Sequence, residues 1–206
     1  MKNSRCSWFL LGLTFIAFTA SCSSMKTLHV WKDEKFNQRL QKVLIIAIAG
    51  QDYMRNHFEN VLAERLSARG IEAVPSNTIL PNLGEKPDRD ALVAKVKELG
   101  FRNVLVARSI NKKEVSDFQP GGIVFASSDF YGGWYGFYAS SYVVVAAPGR
   151  EYDADYYTLV TNIYDVGNEK LVWSNVSQVK VEGSREGAIN PFIEFLMKQL
   201  GDSRLI

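Results

Sequence analysis

The chain has 206 residues with 24 Lys+Arg and 22 Asp+Glu, an apolar fraction of 47% and a charged fraction of 22%. That is globular composition, which excludes wholesale disorder. Lys2 and Arg5 lie within a first stretch of 21 residues that holds no acid, so the remaining 185 residues carry 22 charges of each sign. A balanced body excludes nucleic-acid binding through broad positive charge and a polybasic membrane-surface binder. Its length suits one domain with one core.

The leader divides into a basic start, Met1 to Trp8, an uncharged apolar run, Phe9 to Ala20, and small residues, Thr19-Ala20-Ser21, directly before Cys22. The run is 12 residues long, where a helix needs about 20 to span a bilayer. It has the shape of an export signal. Small residues before a cysteine resemble the lipobox of bacterial lipoproteins, with Thr19 where that family usually has Leu or Val. The resemblance implies cleavage before Cys22 and acyl chains, palmitate among them, on its thiol and amine. Each buried CH₂ contributes about 0.8 kcal/mol, so several chains anchor durably. Ser23 follows the cysteine, where Asp would imply inner-membrane retention; the implied address is the outer membrane, facing the periplasm. Cys6 leaves with the signal, and the body then has no free thiol, disulfide or Cys-ligated zinc. The competing account is a plain secretory signal with a free Cys22.

The expected organisation is a signal at 1–21, Cys22 and a polar tether at 22–41, and an α/β domain at 42–206. Trp31 and Phe36 are candidates for packing on that domain. Val43 to Ala49 is a continuous branched apolar run, which predicts a strand buried on both faces. Asp52 is placed to cap a helix to Arg69 with Phe58, Val61, Leu62 and Leu66 on one face, and Gly70 to end it. Ile71 to Val74 reads as a second strand, and the prolines and glycine of 75–90 read as a loop. Asp88 or Asp90 opens a helix carrying Leu92, Val93, Val96 and Leu99. Asn103 to Ile110 is a third strand, which completes a βαβαβ pattern with parallel pairing. In the second half, Ser141 to Ala147 reads as apolar and branched, like a strand. Tyr156 to Val166 and Lys170 to Val181 form an antiparallel pair around Gly167-Asn168. Asn190-Pro191 starts a final helix with Phe192, Phe195, Leu196 and Leu200 as its stripe, closed by Gly201. The expected fold class is α/β: one domain, a mixed sheet, and a C-terminal helix.

This order resembles a group of bacterial envelope proteins that includes the curli-secretion lipoprotein, the lipoprotein activators of penicillin-binding proteins and the N-terminal domain of the Tol-system propeller protein. Three places carry the likeness: the strand at 43–49 leading through Arg55-Asn56-His57-Phe58-Glu59 into a helix ending at Gly70; Val74-Pro75-Ser76; and Ile163-Tyr164-Asp165-Val166 with Lys170-Leu171-Val172-Trp173-Ser174. The resemblance implies an assembly factor or activator, not an enzyme.

Candidate chemistry is sparse. His29 falls in the expected tether. His57 lies two residues from Arg55 and from Glu59, which does not put it on their helical face. Gly121-Gly122 and Gly132-Gly133 lack the Lys-Ser or Lys-Thr of a phosphate loop. Gly50-Gln51-Asp52 stands at a strand-to-helix junction, but Asp52 would itself occupy the positive helix end. Glu151, Asp153 and Asp155 are clustered without a Ca²⁺-loop spacing, so a solvated turn is the plainer account. Asn175-Val176-Ser177 matches a glycosylation acceptor within an expected strand and is set aside. No metal, cofactor or catalytic residue is expected.

The informative segment is 118–142. Its 25 residues hold nine aromatics and five glycines. Such a stretch reads either as a flap on its own sheet or as a partner-binding insertion, in which Tyr131, Trp134, Tyr135 and Phe137 are the expected contacts. A membrane hairpin requires one unbroken apolar face, and both faces of 123–130 are interrupted by Ser or Asp. The function expected is a non-catalytic, lipid-anchored envelope adaptor or assembly factor that binds another envelope protein. Two alternatives stay open: a subunit of an oligomeric secretion assembly, and a cell-wall or small-ligand hydrolase using Glu151, Asp153 and Asp155.

Overall fold

The structure, a computed structural model, describes residues 25–79, 88–110, 133–145, 156–181 and 184–206. The elements in chain order are β1 (Met25–Lys32), β2 (Lys42–Ile48), α1 (Asp52–Ser67), β3 (Glu72–Pro75), α2 (Ser76–Ile79), α3 (Arg89–Glu98), β4 (Asn103–Ile110), α4 (Gly133–Val145), β5 (Tyr156–Asp165), β6 (Leu171–Lys180), a 3₁₀ turn (Glu186–Ala188) and α5 (Ile189–Asp202). The strands form one mixed sheet in the order β1-β6-β5-β4-β2-β3. β2 runs parallel to both β3 and β4. β4-β5, β5-β6 and β6-β1 are antiparallel. The chain is therefore an α/β domain whose first half is βαβαβ and whose second half is antiparallel with a C-terminal helix, as its residue patterns predict.

Strand alternation sends the apolar residues into two layers. Val43, Ile45 and Ala47 of β2 face α1 and α5 together with Leu105, Ile163 and Trp173. Leu44 and Ile46 face the opposite side with Val104, Val106, Val160 and Tyr164, covered by α3 and α4. The continuous run in β2 is thus apolar because both of its faces are inside. α1 buries Arg55, Phe58, Glu59, Leu62, Ala63 and Leu66, a stripe at i, i+3 and i+4 spacing, and α5 buries Ile189, Phe192, Ile193, Leu196, Met197 and Leu200. Phe58 and Phe192 stack between these two helices at 6.0 Å.

The polar tether expected at 22–41 is corrected over its described part. Met25–Lys32 is an edge strand laddered to β6, with a register shift between Thr27 and His29. Its side chains alternate between half-buried and exposed, and the uncovered face carries Lys26, Leu28 and Val30, which gives the strand the composition of a linker. Phe36 and Leu40 are buried, Phe36 as expected. The far ends of the chain are tied together: Lys32 Nζ donates to the Ser203 carbonyl at 2.9 Å, the Trp173 indole N–H to Ser203 Oγ at 2.9 Å, and the Leu40 N–H to the Leu205 carbonyl at 2.9 Å.

Helix starts differ in detail. Asp88 caps α3, its Oδ1 accepting from the Ala91 N–H at 2.8 Å. Asp52 does not cap α1; Gln51 holds that position without a side-chain bond. Asn190 does not cap α5, because the preceding 3₁₀ turn delivers the chain already helical and Ala188 is the N-cap. The strand expected from Ser141 is instead the last turn and more of α4. A short apolar branched run fits a buried helix as well as a strand.

α4 is fixed at its start by a close approach. Gly133 has φ of +75°, and a Cβ there would meet Glu169 Oε2 at 2.7 Å. Glu169, in the β5-β6 turn, also pairs with Arg89 of α3 at 2.9 Å. The hairpin tip therefore positions both helices on that face. Glu169 itself takes a positive φ (59°), one residue past the Gly167-Asn168 turn. The Asp165 carboxylate stabilises the turn by accepting from the Asn168 N–H at 3.0 Å.

Between Ala107 and Asn175 in the ladder, Thr161 is fully buried, and its hydroxyl has no hydrogen-bond partner among the described residues. Thr161→Val keeps the β-branched shape and removes the orphan group, and is expected to stabilise the fold by about 1 kcal/mol. Urea unfolding checks this; a midpoint that falls would contradict it.

Candidate functional site

The most developed polar constellation stands at the carboxyl end of the parallel strands. β3 stops at Pro75, opposite Ile45, two residues short of Ala47. The Ala47 N–H donates instead to Glu59 Oε1 at 2.9 Å. The same oxygen accepts from Arg55 Nε at 3.1 Å and from Ser76 Oγ at 2.7 Å. Glu59 Oε2 accepts from the Asn77 N–H at 2.9 Å, and Arg55 Nη2 donates to Ser76 Oγ at 3.1 Å. Glu59 is 0% exposed and Arg55 7%. One carboxylate thus joins β2, α1 and the β3-α2 corner. With both oxygens engaged by donors and a cation at i−4, the group serves as a bolt; its lone pairs are committed to the fold.

This bolt unites two of the three stretches that carry the resemblance, Arg55 to Glu59 and Val74 to Ser76. The third, the β5-β6 hairpin, supplies Tyr164 and Trp173, both 0% exposed. The signal for the bolt was in the sequence: an Arg and a Glu four apart on the same face as Phe58 and Leu62, followed by a Ser just after a short strand.

A second polar group lies beneath α4. Arg108 places its guanidinium 4.7 Å from the Phe137 ring centroid. Asn162 Nδ2 donates to the Tyr164 hydroxyl at 3.0 Å. Burial pushes the Tyr164 phenol far above its ordinary value, against the smaller opposing effects of the Asn162 bond and the Arg108 charge. Asn162 Oδ1 and Ser174 Oγ, cross-strand partners on the same face, have no hydrogen-bond partner among the described residues. Arg108 interrupts the apolar run Val104 to Ala107, and that interruption is the signal that would have located this group.

The aromatic residues expected to contact a partner are corrected where they are described. Trp134, Tyr135 and Phe137 are buried, at 0%, 7% and 0% exposure, in the layer with Val104, Val160 and Tyr164. Trp134 lies edge-on to Tyr135 at 6.1 Å, and Phe137 sits 6.2 Å from Tyr164. Helical winding turns the aromatic run onto the sheet, and the layer that α3 and α4 cover consumes it as core. Tyr131 lies outside the described residues, as do Cys22, Glu151, Asp153, Asp155 and the segment 111–132.

His57 is exposed on α1, 3.1 Å from Asn190 Oδ1. His29 is half-buried on β1, and burial lowers its pKa. Asn175 is buried on β6, its Oδ1 accepting from Ser177 Oγ. Among the described residues no group of three or more His, Cys, Asp or Glu is arranged to hold a metal ion, and no helix is long and apolar enough to cross a membrane.

No protein-family model matches this sequence, and comparison with curated proteins yields no match. Among solved structures, the chain is similar to a PelC variant dodecamer from Paraburkholderia phytofirmans at 13% identity and a TM-score of 0.40, over 84% of this chain and 94% of that one. A second structure of the PelC dodecamer from the same organism aligns at 12% identity and a TM-score of 0.40, over 80% of this chain and 89% of that one.

Proposed function

We propose that this chain is a lipid-anchored envelope protein of the outer membrane, facing the periplasm, whose α/β domain acts without catalysis by binding another envelope component during assembly. The observation that carries the reading is the run Phe9 to Ala20, ending in the small residues Thr19-Ala20 and continued by Ser21-Cys22, placed directly ahead of the first strand of the domain. The bolt supports the non-catalytic part. Its carboxylate, the most buried acid among the described residues, is fully occupied by donors of the fold.

The decisive measurement is the mass of the mature N-terminus in protein purified from its native membranes. The expected species begins at Cys22 and carries acyl chains. A leader still attached, or an unmodified Cys22, would sink the reading. Crosslinking in the intact envelope is then expected to capture a discrete envelope protein. Recovery of the chain with none attached would count against the adaptor role.

A further inference from the structure

The sheet has two ends, and they differ. One end gathers the start of β1, the end of β6, the start of β5 and the start of α1. Register places Met25 beside Val179, and Lys180 beside Tyr156. Arg185, just before the 3₁₀ turn, lies 5.0 Å over the Tyr157 ring. The Glu186 carboxylate, hydrogen-bonded to the Tyr53 hydroxyl, holds that phenol above its usual value. Tyr53 is 50% exposed. This end therefore presents tyrosines together with Lys26, Lys180 and Arg185, countered by Asp52 and Glu186. The opposite end holds the Gly70 and Gly100 turns, the β5-β6 hairpin tip and the C-terminus.

Only two residues separate Cys22 from Met25. Three Cα steps span at most about 11 Å. Met25 is already laddered to β6, so no slack exists beyond that point. An eight-residue strand such as β1 is about 25 Å long, more than twice that reach. Acyl chains on Cys22 would bring the Met25 end to the headgroups and leave the far end outside their depth.

We propose that the end of the sheet formed by Met25, Lys26, Tyr53, Tyr157, Lys180 and Arg185 is a membrane-resting face, seated on a phospholipid headgroup layer. This rests on the lipid-anchor reading of Cys22. Tyrosine suits the headgroup level because its ring is apolar and its hydroxyl polar, and lysine and arginine reach phosphates while their stems stay on the protein. Among the described residues, the three cations and two acids named at this end leave a weak net charge, so the short connection sets the orientation and charge only reinforces it. The domain stands upright, sheet end down, and presents the hairpin tip and the Leu99 end of α3 to the periplasm.

The test uses the lipidated full chain reconstituted in vesicles of phosphatidylethanolamine and phosphatidylglycerol with a nitroxide on a fraction of the headgroups. Three variants, Tyr53→Cys, Val30→Cys and Leu99→Cys, each carry a fluorophore on the introduced thiol; all three positions are solvent-exposed. Quenching is expected to be several-fold stronger at position 53 than at 99, with position 30 between them. A flexible Gly/Ser spacer of about ten residues inserted before Met25 is expected to shrink that difference, since such a linker adds some 17 Å of root-mean-square reach. Equal quenching at 53 and 99 overturns the proposal, and so does strongest quenching at 30, which means the domain lies on its β1 edge. Failure of the labelled protein to float with vesicles refutes the lipid anchor itself and takes this proposal with it.

Discussion

Glu59→Ala is expected to lower folding stability by about 3–5 kcal/mol, the cost of breaking a buried ion pair while its partner stays buried. The substitution leaves the Arg55 guanidinium without its carboxylate at 7% exposure. It also strips the acceptor from the Ala47 N–H, the Ser76 hydroxyl and the Asn77 N–H. A domain of this size has about 5–15 kcal/mol in all, so the variant should unfold at a much lower urea concentration. Glu59→Gln is expected to lie between wild type and Ala. Its amide oxygen can serve Ala47, Arg55 and Ser76, but its NH₂ then faces the Asn77 N–H, donor against donor. The double variant Arg55→Met with Glu59→Met removes both charges. It is expected to lose less than the two single changes summed, by at least about 1 kcal/mol, because the groups act as one unit. Glu59→Ala within 1 kcal/mol of wild type would show that the bolt does not hold β2, α1 and the β3-α2 corner together.

The parts of this fold legible in the sequence are those whose residues are decided by local period and by breakers. β2 is a run buried on both faces, α1 is a stripe ended by Gly70, and β4 matches its expected bounds at Asn103–Ile110. These elements have one satisfactory conformation each, so pattern suffices. β1 was not legible because one face of this edge strand is open to solvent. Its exposed Leu28 and Val30 and its lysines follow the demands of solvent as much as those of the core. α4 was not legible for the opposite reason. Residues 133–139 are buried nearly all round and show no amphipathic period, so Trp134, Tyr135 and Phe137 looked like a contact surface. The bolt was not legible because its two members flank a histidine that takes no part in it. Its neighbours Arg55 and Glu59 pair with each other, and histidine turns outward to Asn190.

Trp134→Ala and Phe137→Ala are each expected to destabilise the domain by about 3–5 kcal/mol, as large-to-small changes in a packed core do. Both side chains are 0% exposed, so truncation leaves a cavity against the sheet that α4 can only partly close. Phe137 carries a further consequence, since its ring lies under the Arg108 guanidinium and beside Tyr164. Phe137→Leu retains most of the buried volume and is expected to cost less than Phe137→Ala, the residual loss reporting the ring's contact with the cation. Trp134→Phe is expected to be milder than Trp134→Ala, because it keeps an aromatic body and discards an indole N–H that has no acceptor among the described residues. A contact role makes the opposite pattern. Capture of an envelope partner would then fall in Trp134→Ala while the urea midpoint stayed in place. Measuring both quantities on the same variants separates the two, and an unchanged midpoint with lost capture would return these aromatics to the surface of the molecule.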